Sequence, residues 1–254
     1  MQEKSNLEQQ KKDLQMTLSK LTHEIRNPIA LIQSELQMIA SAHPEITDFD
    51  GWYHVMENLE YIRNLLNELS QYNNAEHLTL IQTDMSAFLN SVTHSFKPAL
   101  DYLGISLITD IPENLPLLFL DQVKMRQAFL NLLRNAQESI HHSHGIIAVS
   151  AFSSDNNISI QISDNGCGMT KCQLKNIFTP FTTYKPEGTG LGLSVTRQII
   201  QAHKGSLQVH SIPEKGSTFQ ILLRGLPAIA ASINPDISPP RCAALSTPVL
   251  ANPK

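Results

Sequence analysis

The sequence predicts two units in tandem: an α-helical hairpin that forms a dimeric four-helix bundle with a second copy, then an α/β sandwich domain. Three observations predict this. Apolar residues recur at helical spacing from Leu7 to Leu69; short β-branched or alternating runs interleave with helical patterns from Met85 to about Gly225; and a polar stretch, Gln71 to Asp84, separates the two textures.

At 254 residues the chain holds one large domain or two modest ones, and 41% hydrophobic content is ordinary for a folded protein. A net charge of -4, with both signs mixed along most of the chain, gives no support for a nucleic-acid surface or a polybasic membrane anchor, so the expected macromolecular partner is protein. The opening MQEKSNLEQQKKDLQ has no apolar centre of the signal-peptide kind, and no run reaches the roughly 18 apolar residues of a membrane span. A cytoplasmic location is therefore expected. Cys167, Cys172 and Cys242 are odd in number and lack paired C-x-x-C spacing, so free thiols are expected rather than disulfides or a zinc site.

Leu7, Leu14, Leu18, Leu21, Ile25, Ile29, Ile32, Leu36 and Ile39 recur at steps of three, four or seven, the pattern of a helix with one apolar seam over about residues 5 to 41. Pro44 and Gly51 in SAHPEITDFDG suit a connection. Val55, Leu59, Ile62, Leu66 and Leu69 then repeat the seam. A hairpin alone leaves each seam half covered, so a homodimer is expected, with a monomeric hairpin packed on the rest of the chain as the alternative. The predicted boundaries are 1–75 for the coil start and hairpin, 76–84 for a linker, 85–226 for the α/β domain, and 227–254 for a Pro-rich, poorly ordered tail. Residues 1 to 20 read as the start of the hairpin's coil and not as a sensory domain.

In the α/β domain ISLITDI, IIAVSAF, ISIQIS, SLQVHS and STFQILL read as strands. Helices are predicted over about Met85 to Leu100, Gln122 to Ile140 and Leu193 to His203, covering one face of the strand layer.

Four clusters in this domain carry chemistry. In NLLRNA, Asn131 and Asn135 stand at i and i+4 on one helix face, where two neutral oxygens suit magnesium accompanying nucleotide phosphates; a purely structural pair is the alternative. In SDNGCGM, Gly166 and Gly168 permit close backbone approach, and Asp164 is an acceptor suited to an exocyclic amino group such as that of adenine; a plain turn is the alternative. The segment Gly188, Thr189, Gly190, Leu191, Gly192 precedes a helical pattern, so its backbone N–H groups can face phosphate, although its spacing is neither the P-loop nor G-x-G-x-x-G. Finally, IFTPFTTYKPE mixes apolar and hydroxyl residues in the manner of a lid, with Lys185 available to a terminal phosphate. The histidine run HHSHG reads as a polar loop rather than a metal site, having no acid or thiol at ligand spacing.

Upstream, LTHEIRNPIAL sets His23, a nucleophile when neutral, in the first helix just before Pro28. Pro28 lacks an N–H and crowds the carbonyl of Glu24, which predicts a bend able to switch the setting of His23.

In this order the segments resemble the sensor histidine kinases of two-component signalling, over about residues 10 to 225. LTHEIRNPIA resembles the H box, NLLRNA the N box, DNGCG the first glycine box, IFTPF the F box, GTGLGLS the second glycine box, and GSTF the last glycine element. The short F-box-to-glycine-box link is similar to that of the nitrogen-regulation and sporulation-type kinases. The resemblance implies a dimerisation and phosphotransfer hairpin followed by a Bergerat-type ATP-binding sandwich, with ATP and Mg2+ as cofactors. It implies that His23 accepts the γ-phosphoryl group, Glu24 acts as general base, and Asn27, in the pattern E-x-x-N, aligns water for a phosphatase reaction. Asn131 and Asn135 are the implied metal residues, and Asp164, Gly166, Gly168, Lys185 and residues 188–192 the implied nucleotide residues. The implied partner is a response regulator receiver domain, with a membrane or soluble sensor as the source of the signal. One departure stands out: many relatives carry lysine where Glu138 stands, leaving Arg134 or Lys185 to meet phosphate. The rival class is an ATP-driven clamp of the gyrase, mismatch-repair or heat-shock type, which needs a glutamate where Asn131 stands; a scaffold without catalysis is the non-enzymatic alternative.

Overall fold

The computed structural model describes residues 2–154, 157–185 and 188–224, with side chains from Met16 onward. The predicted tail 227–254 and Cys242 lie outside the described residues, as do Pro186 and Glu187 of the lid segment and the side chains of Leu7 and Leu14.

Helix α1 spans Gln2–Ala42 and runs through Pro28 without interruption. A short 3-10 helix, Pro44–Asp48, replaces the plain connection, and α2 follows over Asp50–Asn74. The two helices pack side by side, which buries Leu66 and half-buries Ile29, Leu36, Leu59 and Leu69. The other half of the seam stays open: Leu21, Ile25, Ile32, Ile39, Val55 and Ile62 are between 37% and 47% exposed.

Strand β1, Ile81–Asp84, lies within the stretch read as linker and pairs antiparallel with β3, Leu117–Leu120. Neither was anticipated, because runs of four residues show too little periodicity to separate strand from helix. Helix α3 covers Met85–Tyr102, capped by the Asp84 side chain, which accepts from the Ala87 N–H at 2.9 Å. After β2, Ser106–Asp110, and β3 comes α4, Gln122–Glu138, capped in the same way by Asp121.

Strands β4 (Ile146–Ser154), β5 (Asn157–Asp164), β6 (Ser206–Ile212) and β7 (Gly216–Arg224) complete a five-stranded sheet in the order β2-β4-β5-β7-β6. Only β2 and β4 run parallel. Alternate residues of the central strands, such as Ile147, Ile160 and Ile221, are fully buried against α3 and α4, where Phe129, Leu132 and Leu89 are buried in turn. Phe152 and Ile108 remain at least half exposed. Helices therefore cover one face, as the period-two strands and period-3.6 helices require. Two further helices complete the domain: α5, Lys171–Asn176, started by a Thr170–Gln173 capping box, and α6, Gly192–Ala202.

The end of α2 docks on this domain. Ala75, Ala128, Val195 and Ile199 form a small buried cluster with Tyr72 against it. The connection is clamped from α4: Lys124 Nζ donates to the carbonyls of Asn74 (2.6 Å) and His77, and Asp121 Oδ2 accepts from the Thr79 N–H at 3.0 Å. His203, at the end of α6, accepts the Asp121 N–H on Nε2 at 2.9 Å. No described helix is long and apolar enough to cross a membrane.

Candidate active site

Asp164 ends β5 and is half-buried. Its Oδ1 accepts from the Gly166 N–H (2.9 Å), the Ser139 hydroxyl (2.9 Å) and the Ser217 N–H (3.3 Å). Burial pushes its carboxyl above the ordinary aspartate range, against the pull of these three donors and of the Lys185 charge. Three donors saturate one oxygen and leave Oδ2 without a protein donor among the described residues, so it is the atom free to accept from a ligand amino group.

Close packing explains the glycines here. A Cβ on Gly166 would fall on Ser139, which follows α4, and one on Gly168 would strike the Ile212 carbonyl. These two glycines are thus required by neighbouring backbone and not by a flat ligand alone.

The second glycine segment is tied to the F-box loop. Phe181 N–H donates to the Gly190 carbonyl at 3.1 Å; Gly190 itself has φ +71°, and a Cβ there would lie 2.6 Å from the Thr182 nitrogen. A Cβ on Gly188 would collide with the Thr183 hydroxyl. Gly192 differs: the nearest atom to a Cβ would be Asn131 Nδ2 at 3.8 Å, so space is open at the start of α6. Leu191 occupies the N-cap and offers no side-chain oxygen, leaving the first N–H groups of α6 to an outside acceptor.

On α4 the two asparagines have separate partners. Asn131 Nδ2 donates to the Gly192 carbonyl at 3.2 Å. Asn135 Oδ1 accepts from Lys185 Nζ at 3.1 Å, and the same ammonium pairs with the Glu138 carboxylate. An ammonium thus stands on the oxygen expected to meet magnesium. With a free carboxylate oxygen for a base, uncapped N–H groups for phosphate and a cation already on Asn135, these residues fit a nucleotide and its metal.

His23 is exposed on α1. Arg26 donates to its Nδ1 at 3.3 Å and to Asn67 Oδ1 of α2 at 3.3 Å. Glu24 turns instead to Lys20, at 3.9 Å, and the structure does not bring it onto the imidazole. Asn27 is exposed in the same turn. One residue after Asn67, the Glu68 carboxylate accepts from the Thr189 hydroxyl of the glycine segment.

Residues 120–226 match the family model described as histidine kinase-, DNA gyrase B-, and HSP90-like ATPase. The chain is also 33% identical over 204 residues to the sensor histidine kinase ZraS of Escherichia coli (strain K12), covering 80% of this chain and 44% of that protein. Residues 120–226 form an ATPase domain of that family, and the chain resembles the sensor histidine kinases. It spans less than half the length of that curated relative. Among solved structures, the histidine kinase AdeS of Acinetobacter baumannii aligns with TM-score 0.58 and 26% identity over 80% of this chain and 97% of that one. Full-length ShkA in complex with AMPPNP aligns with TM-score 0.70 over 82% of this chain and 45% of that one; at 21% identity this likeness shows the fold.

In this chain the ATPase-type domain brings together most of the residues expected from sequence: Asn131 with Gly192, Asn135 with Lys185, and Asp164 with Gly166. Ser139, Ser217, Glu138 and Glu68 were missed as site residues. Ser139 and Ser217 are small hydroxyl residues with no spacing signature. In the sequence Glu138 stands out only as a departure from lysine, although its i+3 relation to Asn135 is the signal that places both on one helix face. Among the described residues no group of three histidines, cysteines or acids could hold a metal; His142 Nε2 donates to the Asn165 carbonyl at 3.0 Å. Cys167 and Cys172 are free and exposed.

Proposed function

We propose that this chain is an autokinase core: it binds ATP and magnesium, takes the γ-phosphoryl group on His23, and passes it to an aspartate of a response regulator receiver domain. The observation that carries this reading is the short path from acceptor to cradle. His23 contacts Arg26, Arg26 contacts Asn67, and the next residue of α2 holds Thr189 of the glycine segment. An exposed nucleophile and a phosphate-binding helix start face the same turn of α2.

Within this reading, Asp164 Oδ2 selects the base, and the N–H groups at the start of α6 orient phosphate. Magnesium, when bound, supplies the charge that offsets the phosphate oxygens. The reaction forms a bond from an imidazole nitrogen to the γ-phosphorus and breaks the one to the β–γ bridging oxygen, and ADP leaves. Glu24 takes the proton of the other ring nitrogen after turning from Lys20, a surface pair too weak to hold it. Asn131 carries no carboxylate to activate water, which favours transfer to His23 over hydrolysis and disfavours the clamp.

The open seam of the hairpin supports a homodimer. Asn27, in the E-x-x-N pattern with Glu24, is the candidate for aligning water in a phosphatase reaction toward the phosphorylated regulator, and Asn27→Ala is expected to remove that reaction. Incubation with γ-labelled ATP tests the main reading: acid-labile, base-stable label on the wild type and none on His23→Gln. Free phosphate without protein label supports the clamp instead, and neither supports a scaffold.

A further inference from the structure

We propose that Glu138 belongs to the metal site: with Asn135 it forms a two-oxygen cradle for the divalent cation that accompanies the nucleotide, and Lys185 fills that cradle while the metal is absent. The proposal rests on the nucleotide-binding reading above.

Two oxygens from one turn of α4, the neutral Oδ1 of Asn135 and the charged carboxylate of Glu138, converge on a single ammonium. A neutral and an anionic oxygen aimed at one point is the donor set that a hard divalent cation prefers. The occupant is replaceable, because both side chains are about two-fifths exposed (42% for Lys185 and 41% for Glu138), and solvent weakens their attraction. Lys185 also sits on a loop anchored by side-chain contact, its N–H donating to the Thr183 hydroxyl at 3.1 Å, and not on a rigid helix.

Charge makes the same demand. Glu138 sets a negative group beside the oxygen expected to meet magnesium. With Lys185 on it, the pair is neutral and does little to attract a polyanion. A divalent cation in the cradle reverses the local sign and releases Lys185 toward phosphate. Glu138 therefore opposes nucleotide without metal and assists it with metal, so that binding is steeply coupled to the cation.

The test is calorimetric titration with AMP-PNP, which is not cleaved, in saturating Mg2+ and again in EDTA; the ratio of the two dissociation constants measures the coupling. Glu138→Gln is expected to lower that ratio at least tenfold, binding tighter in EDTA and weaker in Mg2+. Lys185→Gln is expected to keep or raise it. A Glu138→Gln ratio within twofold of wild type overturns the proposal, and so does an equal fall in both variants, which would make Glu138 only a positioning residue for Lys185. If the wild type binds no nucleotide in either condition, the nucleotide-binding reading fails and takes the proposal with it; binding with an unchanged ratio sinks the proposal alone.

Discussion

Asp164 shows how a site residue is held at a cost to the fold. Burial raises its carboxyl above the ordinary aspartate value, and a raised folded-state pKa gives stability that is complete below the ordinary pKa and lost as pH rises through the raised one. At neutral pH the ionised group is therefore a standing penalty. Asparagine keeps an Oδ1 for the donors of Gly166, Ser139 and Ser217 but presents an N–H where an adenine amino group would arrive. Asp164→Asn is expected to melt at the same temperature as the wild type or higher at pH 7.5, while losing roughly a hundredfold in adenine-nucleotide affinity, about 2–3 kcal/mol for an unpaired buried donor. Thermal melts and nucleotide titration check the two halves. Asp164 and Gly166 are legible from the D-N-G-x-G motif; the other two groups that saturate Oδ1, Ser139 and Ser217, are not, since they come from other elements.

At the scale of elements, the seam between α2 and the ATPase-type domain is built for limited strength. Its apolar cluster is mostly alanine and valine, and Asn73, only 5% exposed, has neither Nδ2 nor Oδ1 partnered among the described residues. Unpartnered buried polar atoms cost roughly 1–3 kcal/mol each. Asn73→Leu, of similar volume, is expected to stabilise the protein by about that amount for one such group, read as a higher urea midpoint with an unchanged slope. The clamp beside it responds to pH. His203 accepts on Nε2 from the Asp121 N–H and its Nδ1 lies 2.7 Å from the Ile199 carbonyl, so the ring is neutral with its proton on Nδ1. Burial lowers its pKa, opposed by the Ile199 carbonyl and the Asp121 charge and reinforced by Lys124. A depressed pKa gives stability present above the ordinary histidine value and lost as pH falls through the folded one. Unfolding temperature is thus expected to decline below about pH 6.5, and His203→Gln to flatten that decline between pH 6.5 and 5. The helices and long strands of this region were legible from periodicity; β1, β3 and α5 were not, because four to six residues carry no period of their own.

For the whole molecule, the open decision is how the hairpin closes its seam. Leu21, Ile25, Ile32 and Ile39 lie along one side of α1 at 42–47% exposed, more apolar surface in one line than isolated exposed residues account for. Light scattering at micromolar concentration is expected to give a dimer mass, and Ile25→Lys with Ile32→Lys a monomer. A monomeric wild type would leave the alternative, a hairpin satisfied by docking on its own chain.

Sequence by itself determined what depends on short spacing: the heptad-like seams, the alternating strands, the asparagines four apart, and the histidine set ahead of Pro28. Each of these is a periodicity or a motif within one element, and backbone geometry converts such spacing directly into a face. Tertiary structure alone decided which faces meet. Lys185 reaches Glu138 across 47 residues, and Thr189 reaches Glu68 across 121. No local pattern encodes such pairs, because they follow from how the helices seat on the sheet and how α2 seats on α6, which is a property of packing summed over the chain.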